Sequence, residues 1–422
     1  MKNGSAWNRR EFIAKPVAAL AATQLLGGTK LLGETSTLEK TSTKTEFSGQ
    51  PIHRTLGKTG IRLPIVSMGV MNADVPGLIP RSYEFGVRHF DTAAVYQQGR
   101  NETMVGNTIK EMGVRDKVII STKVRVHGPR RGPGNDAQDD ANGAAEIEAS
   151  FHEIFAGSLK RLQMDYVDIL YNHSADSEAE VNSEGTLRAM TSLKKEGKAR
   201  FLGVSSHQPE MALNLAMKLG VYDVVLVPFN FTVADDRGLL DAIEKAASAG
   251  IGIVAMKTQA GGATRPNPKL GRQLTPASQT ALLKWVLRHD AVTTAIPGYT
   301  TYEQLEQNFS VASNLAYTTE ERDFLSDKST VADAQFCRQC GQCREDCPLG
   351  VDIPALMRTH MYAVQYANHA LAAAMVASLP AAKGLGACGE CSTCLAHCRN
   401  AVNIAMKINS LKEIAAIGRM TV

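Results

Sequence analysis

Between Arg54 and Ser313 the chain alternates short apolar or β-branched runs with helical stretches, and this beat constrains its fold more than any other feature of its 422 residues. The runs are IRLPIVSMGV, RHFDTA, KVIISTK, YVDILYNH, ARFLGVSS, DVVLVPFN, GIVAMKT and TTAIPG. Between them apolar positions recur every three or four residues, as in Ile147, Phe151, Ile154, Phe155, Leu159 and Leu162, which share one helix face. Alternating strand and helix predicts a parallel sheet, and eight such units predict an α/β fold of the (β/α)8 barrel type. A doubly wound sheet is the alternative, weakened because no G-x-G-x-x-G follows the first run.

All eight cysteines lie beyond this region, in two short runs: Cys337, Cys340, Cys343 and Cys347, then Cys388, Cys391, Cys394 and Cys398. Both read C-x2-C-x2-C-x3-C, and Pro348 follows the first, the spacing that wraps a backbone around a four-iron cluster. Zinc prefers two C-x2-C knuckles held apart by a longer loop, and cysteines this close in sequence rarely meet disulfide geometry. Two [4Fe–4S] clusters are therefore expected. In two-cluster proteins the fourth cysteine of each run ligates the other cluster, which would join Cys347 to Cys388, Cys391 and Cys394, and Cys398 to Cys337, Cys340 and Cys343. The segment between the runs, ALMRTHMYAVQYANHALAAAMVASL, reads as helical, so this domain is expected to be small and mainly α-helical, with its Met and His residues packing rather than ligating.

The N-terminus carries Asn8-Arg9-Arg10-Glu11-Phe12-Ile13 before a mildly apolar stretch, a pattern similar to a twin-arginine export signal. The two ends of the chain agree, because clusters are inserted in the reducing cytoplasm and their carrier must then travel folded. Export to the periplasm or another extracytoplasmic space is the expectation. The chain divides into a signal over 1–30, a Thr/Ser/Glu/Lys-rich linker over 31–50, the barrel over 51–330 and the cluster domain over 331–422. A net charge of +4 gives no footprint for nucleic acid, and no apolar run is long enough for a membrane span, which leaves membrane contact to the export signal.

Polar residues punctuate the predicted strands at their C-terminal ends, the active-site face of such a barrel. Asp91 ends the second run, Tyr96 follows five residues later, Lys123 ends the third and His173 the fourth. A tyrosine is a poor acid near neutrality, with an ordinary pKa of about 10. A neighbouring ammonium would stabilise its phenolate, a carboxylate would hold that ammonium, and an imidazole would orient a substrate carbonyl.

The segments LGKTGIRLPIVSMG, HFDTAAVY, GRNETMVGNTIKE, STKV, SLKRLQMDYVDILYNH, LGVSSH, AIPG and QLEQN resemble, in order, those of an aldo/keto reductase. The subgroup with an appended ferredoxin-like tail looks nearest. The resemblance implies a catalytic tetrad of Asp91, Tyr96, Lys123 and His173, with Tyr96 protonating a carbonyl oxygen as hydride arrives. It also implies a nicotinamide cofactor, NAD or NADP, across the ends of the last four strands. Family members clasp the carboxamide with a Ser-Asn pair and a Gln, where this chain has Ser205-Ser206 and Leu226, with Asn230 nearby. Met256 and Lys257 stand where an aromatic residue often stacks. Gly298, after Pro297, and Gln304 stand where NADP-selecting members carry basic residues, and Asn308 remains for the adenine end. The charge partners of a 2′-phosphate are therefore missing, which leaves NAD, NADP or loss of the dinucleotide open.

Three functions follow at this level. One is an exported oxidoreductase interconverting a carbonyl and an alcohol, with sugar-derived compounds among the candidate substrates and two clusters attached. Another is an electron-transfer protein whose clusters serve a redox partner and whose barrel is a scaffold. The last is a non-redox lyase or epimerase reusing the Tyr/Lys/His site. Hydride moves two electrons together, each cluster accepts one, and no flavin motif is visible to split the pair. The Gly/Pro-rich insertion VRVHGPRRGPGNDAQDDANG reads either as a lid or as a solvated loop.

Overall fold

The computed structural model describes residues 49–126, 141–261, 275–327, 335–391 and 393–416. The proposed signal with Arg9 and Arg10, nearly all of the linker and residues 127–140 of the insertion lie outside the described residues. Eight parallel strands run in sequence order: β3 (Met68–Gly69), β4 (His89–Asp91), β5 (Ile119–Val124), β6 (Val167–Asn172), β7 (Ala199–Ser205), β8 (Val224–Pro228), β9 (Gly252–Met256) and β10 (Thr294–Ala295). Parallel bridges from Val66 to Ala295 and from Gly69 to Gly298 join the first strand to the last, so the sheet closes into a (β/α)8 barrel. The connecting helices are α1 (Leu78–Phe85), α2 (Arg100–Met112), α3 (Ala141–Leu162), α4 (Glu178–Val181), α5 (Glu184–Lys195), α6 (Pro209–Leu219), α7 (Arg237–Ser248), α8 (Pro276–Leu287) and α9 (Tyr302–Phe309), with α10 (Thr319–Ser326) following. Side-chain caps mark where several start: Asp236 accepts from Leu239 N–H, Thr275 from Ser278 N–H, and Thr318 forms a capping box with Glu321.

The run IRLPIVSMGV departs from expectation by splitting in two. Arg62–Pro64 is β2, antiparallel to β1 (His53–Thr55), and only Met68–Gly69 enters the barrel. The hairpin plugs the barrel floor, because Leu56, Ile61 and Leu63 pack with Ile169, Tyr171, Val224, Leu226 and Val254 from the barrel interior. Alternation along a strand separates the two layers. Val224 and Leu226 face inward to this plug, while Val225 and Val227 face the helices. Fully burying each aliphatic side chain is worth roughly 1.5–3 kcal/mol, so the plug is a main source of barrel stability.

Gly203 on β7 shows how tightly the interior is filled, since a Cβ there would run into the Tyr171 ring. Gly203→Val is expected to lower stability by about 1–3 kcal/mol, read as a lower urea midpoint, because overpacking forces neighbours off their rotamers.

Beyond α10 the chain forms a second apolar core around Val351, Ile353, Leu356, Met357, Leu385, Ile404 and Leu411. Helices Ile353–His360, His369–Ser378 and Ile404–Ala416 build it, and a π-helical turn over Met361–Gln365 extends the first of them. The Met and His residues of this segment largely pack: Met357, Met361 and His360 are buried. This core includes Ala260 from the loop after β9 and touches Met71 from the loop after β3, so the tail sits on the C-terminal mouth of the barrel. Polar links that hold it there include Arg358 Nη1 to Asp176 Oδ2 at 3.1 Å, Arg338 Nη2 to Asp235 Oδ1 at 3.0 Å, Gln208 Nε2 to the Gln339 carbonyl at 2.8 Å, Asn368 Nδ2 to Asn72 Oδ1 at 2.9 Å, and Lys257 Nζ to the Tyr362 hydroxyl at 3.3 Å. Among the described residues no helix is long and apolar enough to cross a membrane.

Candidate active site

Asp91 and Lys123 end adjacent strands and point into the barrel, 2% and 1% exposed, where they form a buried ion pair. The Lys123 ammonium also donates to the Thr92 carbonyl at 2.7 Å. The other carboxylate oxygen of Asp91 accepts from Ser121 Oγ at 2.6 Å. That hydroxyl has spent its proton, so His89 Nε2, 2.9 Å away, must carry the hydrogen and donate to it. Burial lowers the His89 pKa to about 4, consistent with a neutral ring. A relay of His89, Ser121 and Asp91 thus fixes the ammonium. Sequence reading passed over His89 and Ser121, although period two places 89 with 91 and 121 with 123 on one inward face.

Tyr96 sits in the turn after β4. Asn101 staples that turn to the neighbouring loop, accepting from Thr92 Oγ1 at 2.7 Å and donating to the Val70 carbonyl at 2.8 Å. Immediately after Tyr96, Gln97, Gln98 and Gly99 adopt φ of 50°, 57° and 85°. Left-handed backbone costs roughly 1–2 kcal/mol at each non-glycine residue, so packing elsewhere holds this turn in place. The Lys123 ammonium stands 4.9 Å from the Tyr96 ring centroid, and the His173 ring meets Tyr96 edge-on with centroids 5.7 Å apart. The structure therefore brings Asp91, Tyr96, Lys123 and His173 to one point at the barrel mouth.

The electrostatics differ from the simple expectation for Tyr96. Burial, the Asp91 carboxylate and the phenols of Tyr362 and Tyr366 raise its pKa well above the usual tyrosine value. Lys123 is committed to Asp91 and faces the ring, so in this state it does not bring the phenol down. Tyr96 is held as a proton donor. Burial and the charge of Lys123 keep His173 well below the ordinary histidine range, so it is a neutral hydrogen-bonding group.

A cleft of about 100 Å³ leads from Asp91 and Tyr96 past Leu226, Met256 and Lys257 to Pro297, Gly298, Gln304 and Asn308. Six of the nine predicted cofactor residues thus line one tract. The other three do not. Ser205 Oγ accepts from Ser174 N–H at 2.9 Å, bracing the loop after His173, and Ser206 Oγ lies 3.3 Å from Asp176. Asn230 is used by Thr232 and the Lys257 carbonyl and lines a separate cavity. Within the cleft Gln259 Nε2 donates to Asn308 Oδ1 at 2.9 Å, and Tyr366 of the tail forms part of the wall. No pattern in the sequence marked Tyr362 or Tyr366, because tail and barrel meet only in three dimensions.

The cysteine thiols fall into two electrostatic sets. Cys337 lies in the field of Cys343, Cys398 and Cys340, and Cys388 in that of Cys347, Cys391 and Cys394. Burial pushes Cys337 up to about 12 and Cys343 and Cys388 to about 11. Thiols in that range keep their protons unless a metal replaces them. Among the described residues no three His, Cys, Asp or Glu side chains stand close enough to hold a single metal ion. The cysteines are unpaired by disulfides.

Residues 72–281 match the sequence model of the aldo/keto reductase family. L-glyceraldehyde 3-phosphate reductase of Escherichia coli (strain K12) is 27% identical over 328 residues, which cover 65% of this chain and 91% of that protein. L-galactose dehydrogenase of Arabidopsis thaliana is 26% identical over 312 residues, 66% of this chain and 93% of that one. Among solved structures, an aldo-keto reductase from Bacillus halodurans in its holo form shares the fold with a TM-score of 0.52 and 24% identity, over 65% of this chain and 95% of that one. The barrel of this chain belongs to the aldo/keto reductase family, and the chain is an oxidoreductase of that type.

Proposed function

We propose that the protein is an exported reductase that interconverts a carbonyl and an alcohol on a small sugar-type substrate, using a bound nicotinamide dinucleotide and carrying two [4Fe–4S] clusters. The observation that supports it most is the convergence of Tyr96, His173 and the Asp91–Lys123 pair at the head of a cleft that ends at Asn308. Two relatives that cover most of their own length act, by name, on glyceraldehyde phosphate and galactose, which favours a polyhydroxylated carbonyl.

The dinucleotide fits the cleft chemically. Lys257 offers a cation, Gln304 and Asn308 offer amides, and at Gly298 an added Cβ would find its nearest contact only at 3.6 Å. Gln304 already accepts from Thr300 N–H at 2.8 Å, which favours NAD, because no guanidinium waits for a 2′-phosphate. When bound, the nicotinamide supplies hydride. The chain does the rest. Neutral His173 and protonated Tyr96 donate to the carbonyl oxygen, and Tyr96 Oη delivers its proton as charge develops there. Lys123 stays paired with Asp91 and faces the Tyr96 ring, and the relay from His89 through Ser121 keeps Asp91 in place.

The present cleft is smaller than the roughly 300–1,000 Å³ of ordinary ligand pockets, and we assign the opening that admits the cofactor to Tyr366 of the tail, which forms part of its wall. Tyr366→Ala is expected to lower the KM for NADH about three- to tenfold with kcat nearly unchanged, because a gate is removed and no reacting group is lost. An unchanged KM would show that the tail does not gate the cleft.

The eight thiols fit two clusters in their donor chemistry, with Cys337, Cys340, Cys343 and Cys398 in one set and Cys347, Cys388, Cys391 and Cys394 in the other. Clusters store and pass single electrons when bound. Anaerobic purification from a host with twin-arginine export tests the whole reading. Expected are about eight irons per chain, recovery from the periplasm, and oxidation of NADH by a sugar aldehyde. Fewer than about four irons would sink the cluster assignment, and turnover of sugars without net redox change would favour the lyase or epimerase.

A further inference from the structure

The loop that carries His173 is fixed from two sides. Ser174, the next residue, adopts φ of 51°, a left-handed backbone that a serine keeps only where its surroundings hold it. The barrel supplies part of that hold. His173 N–H donates to the Val124 carbonyl at 2.8 Å, and the N–H groups of Ser174 and Ala175 donate to the Ser205 hydroxyl and carbonyl, both at 2.9 Å. Asp176 follows, and its carboxylate gathers the remaining contacts. Oδ1 accepts from His207 N–H at 2.7 Å and from Ser206 Oγ at 3.3 Å, and the His207 Nδ1 lies 3.2 Å from both oxygens. Oδ2 accepts from Arg358 Nη1 at 3.1 Å, and Arg358 belongs to the tail.

This is no loose surface pair. Arg358 is 9% exposed, and its Nη1 also donates to Gln339 Oε1 at 3.1 Å. Gln339 is pinned in turn, with a left-handed φ of 63°, its Nε2 donating to the Pro354 carbonyl at 3.0 Å and its own carbonyl accepting from Gln208. The guanidinium is therefore a fixed post for Asp176. Among the described residues Asp176 pairs with no other full cation, since burial and then the charge of Arg358 lower His207 to about 3. A second ion pair between tail and barrel, Arg338 to Asp235, differs on both counts. Asp235 is 77% exposed and lies in the loop after β8, which carries none of Asp91, Tyr96, Lys123 or His173.

We propose that Arg358 is a positioning residue for carbonyl reduction: through Asp176 it holds the loop that aims His173 at the substrate oxygen, so the docked tail completes the active site of the barrel. The proposal rests on the reading of His173 as the group that orients the carbonyl. A hydrogen bond to a reacting oxygen tolerates little misplacement, and an error of about 1 Å can cost 100-fold in rate. The tail thereby takes part in the two-electron chemistry without any single-electron step.

The test uses the full chain purified anaerobically with its iron. Arg358→Met is expected to lower kcat for glyceraldehyde reduction about 10- to 100-fold, with the KM for NADH changed little. Arg358→Lys, which restores a charge opposite Asp176, should recover much of the rate. Asp176→Asn breaks the same pair from the barrel side and should reproduce the loss, which decides the matter if the Arg358→Met tail fails to fold. The two changes together should cost no more than the larger alone, because they remove one interaction. Arg338→Gln, which releases the exposed pair, should stay within about twofold of the parent and shows what loosening the tail does by itself. Hydrogen exchange, read without substrate, is the second measurement. Peptides over residues 173–177 and 205–209 should exchange about tenfold faster in Arg358→Met and at the parent rate in Arg338→Gln. Level exchange in Arg358→Met, no recovery in Arg358→Lys, full activity in Asp176→Asn, or an equal loss in Arg338→Gln would each overturn the proposal. A parent chain inactive on carbonyls would sink the proposed reaction, whereas an active parent with level exchange in Arg358→Met sinks the role of Arg358 alone.

Discussion

Tyr96→Phe is expected to lower kcat for carbonyl reduction by about 10²–10⁴-fold, with substrate KM changed little. The substitution removes one oxygen and leaves the ring. The edge-on contact with His173 and the ammonium face of Lys123 at 4.9 Å both involve the ring and should survive. What disappears is the proton that burial and Asp91 hold on the phenol well above its usual pKa. Neutral His173 can still donate a hydrogen bond to the carbonyl, which explains why binding should persist while turnover falls. Iron content and the urea midpoint should match the parent protein. A variant that keeps its rate would remove Tyr96 as the acid and shift the balance toward a scaffold role for the barrel.

The barrel was legible because its strands carry their own period. Val224 to Val227 alternate between plug and helix layer as a two-residue repeat demands, and the α3 stripe from Ile147 to Leu162 repeats at helical spacing. The convergence of Asp91, Tyr96, Lys123 and His173 was legible for a related reason: a residue at the C-terminal end of a barrel strand has little choice of where to point. The first barrel strand was harder. IRLPIVSMGV is continuous in hydropathy, yet closing the barrel floor takes its first half into a hairpin and leaves only Met68–Gly69 for the sheet. The expected fall in the Tyr96 pKa left out burial, which together with the Asp91 carboxylate raises the phenol instead. The family resemblance implied a cofactor role for Ser205 and Ser206, and here their hydroxyls bond to Ser174 N–H and Asp176. The tail's arrival over the mouth had no sequence signal. Tyr362 and Tyr366 are ordinary helix residues until Arg358 finds Asp176 and Asn368 finds Asn72.

The same burial that shapes the site should make the protein sensitive to acid. His89 is lowered to about 4, and His207 and His360 to about 3, in each case first by burial. The positive charges that lower them further are Lys123 for His89, Arg358 and Lys257 for His207, and Lys407 for His360. An unfolded histidine titrates near 6.5. As pH falls through that value the unfolded chain takes up these protons and the folded chain does not, so the equilibrium moves toward unfolding. The stabilisation is fully present above about pH 6.5 and is lost progressively toward the folded values of 4 and 3. Each histidine contributes a slope of about 1.4 kcal/mol per pH unit, and with His173, which burial also holds well below its ordinary range, the four together about 5. That approaches the whole stability of an ordinary domain, about 5–15 kcal/mol, within two units. Asp176 adds to the trend at lower pH, since His207 and Arg358 outweigh its burial and hold it well below the carboxylate range. Urea midpoints measured from pH 7.5 to 5 should therefore fall steeply, and a midpoint that stays level would show that the histidines are solvated or already charged. His89→Gln separates this from acid loss of clusters, because His89 lies in the barrel wall beside Ser121 and far in sequence from any cysteine. In that variant the slope should drop by about a quarter while the iron content at each pH stays that of the parent.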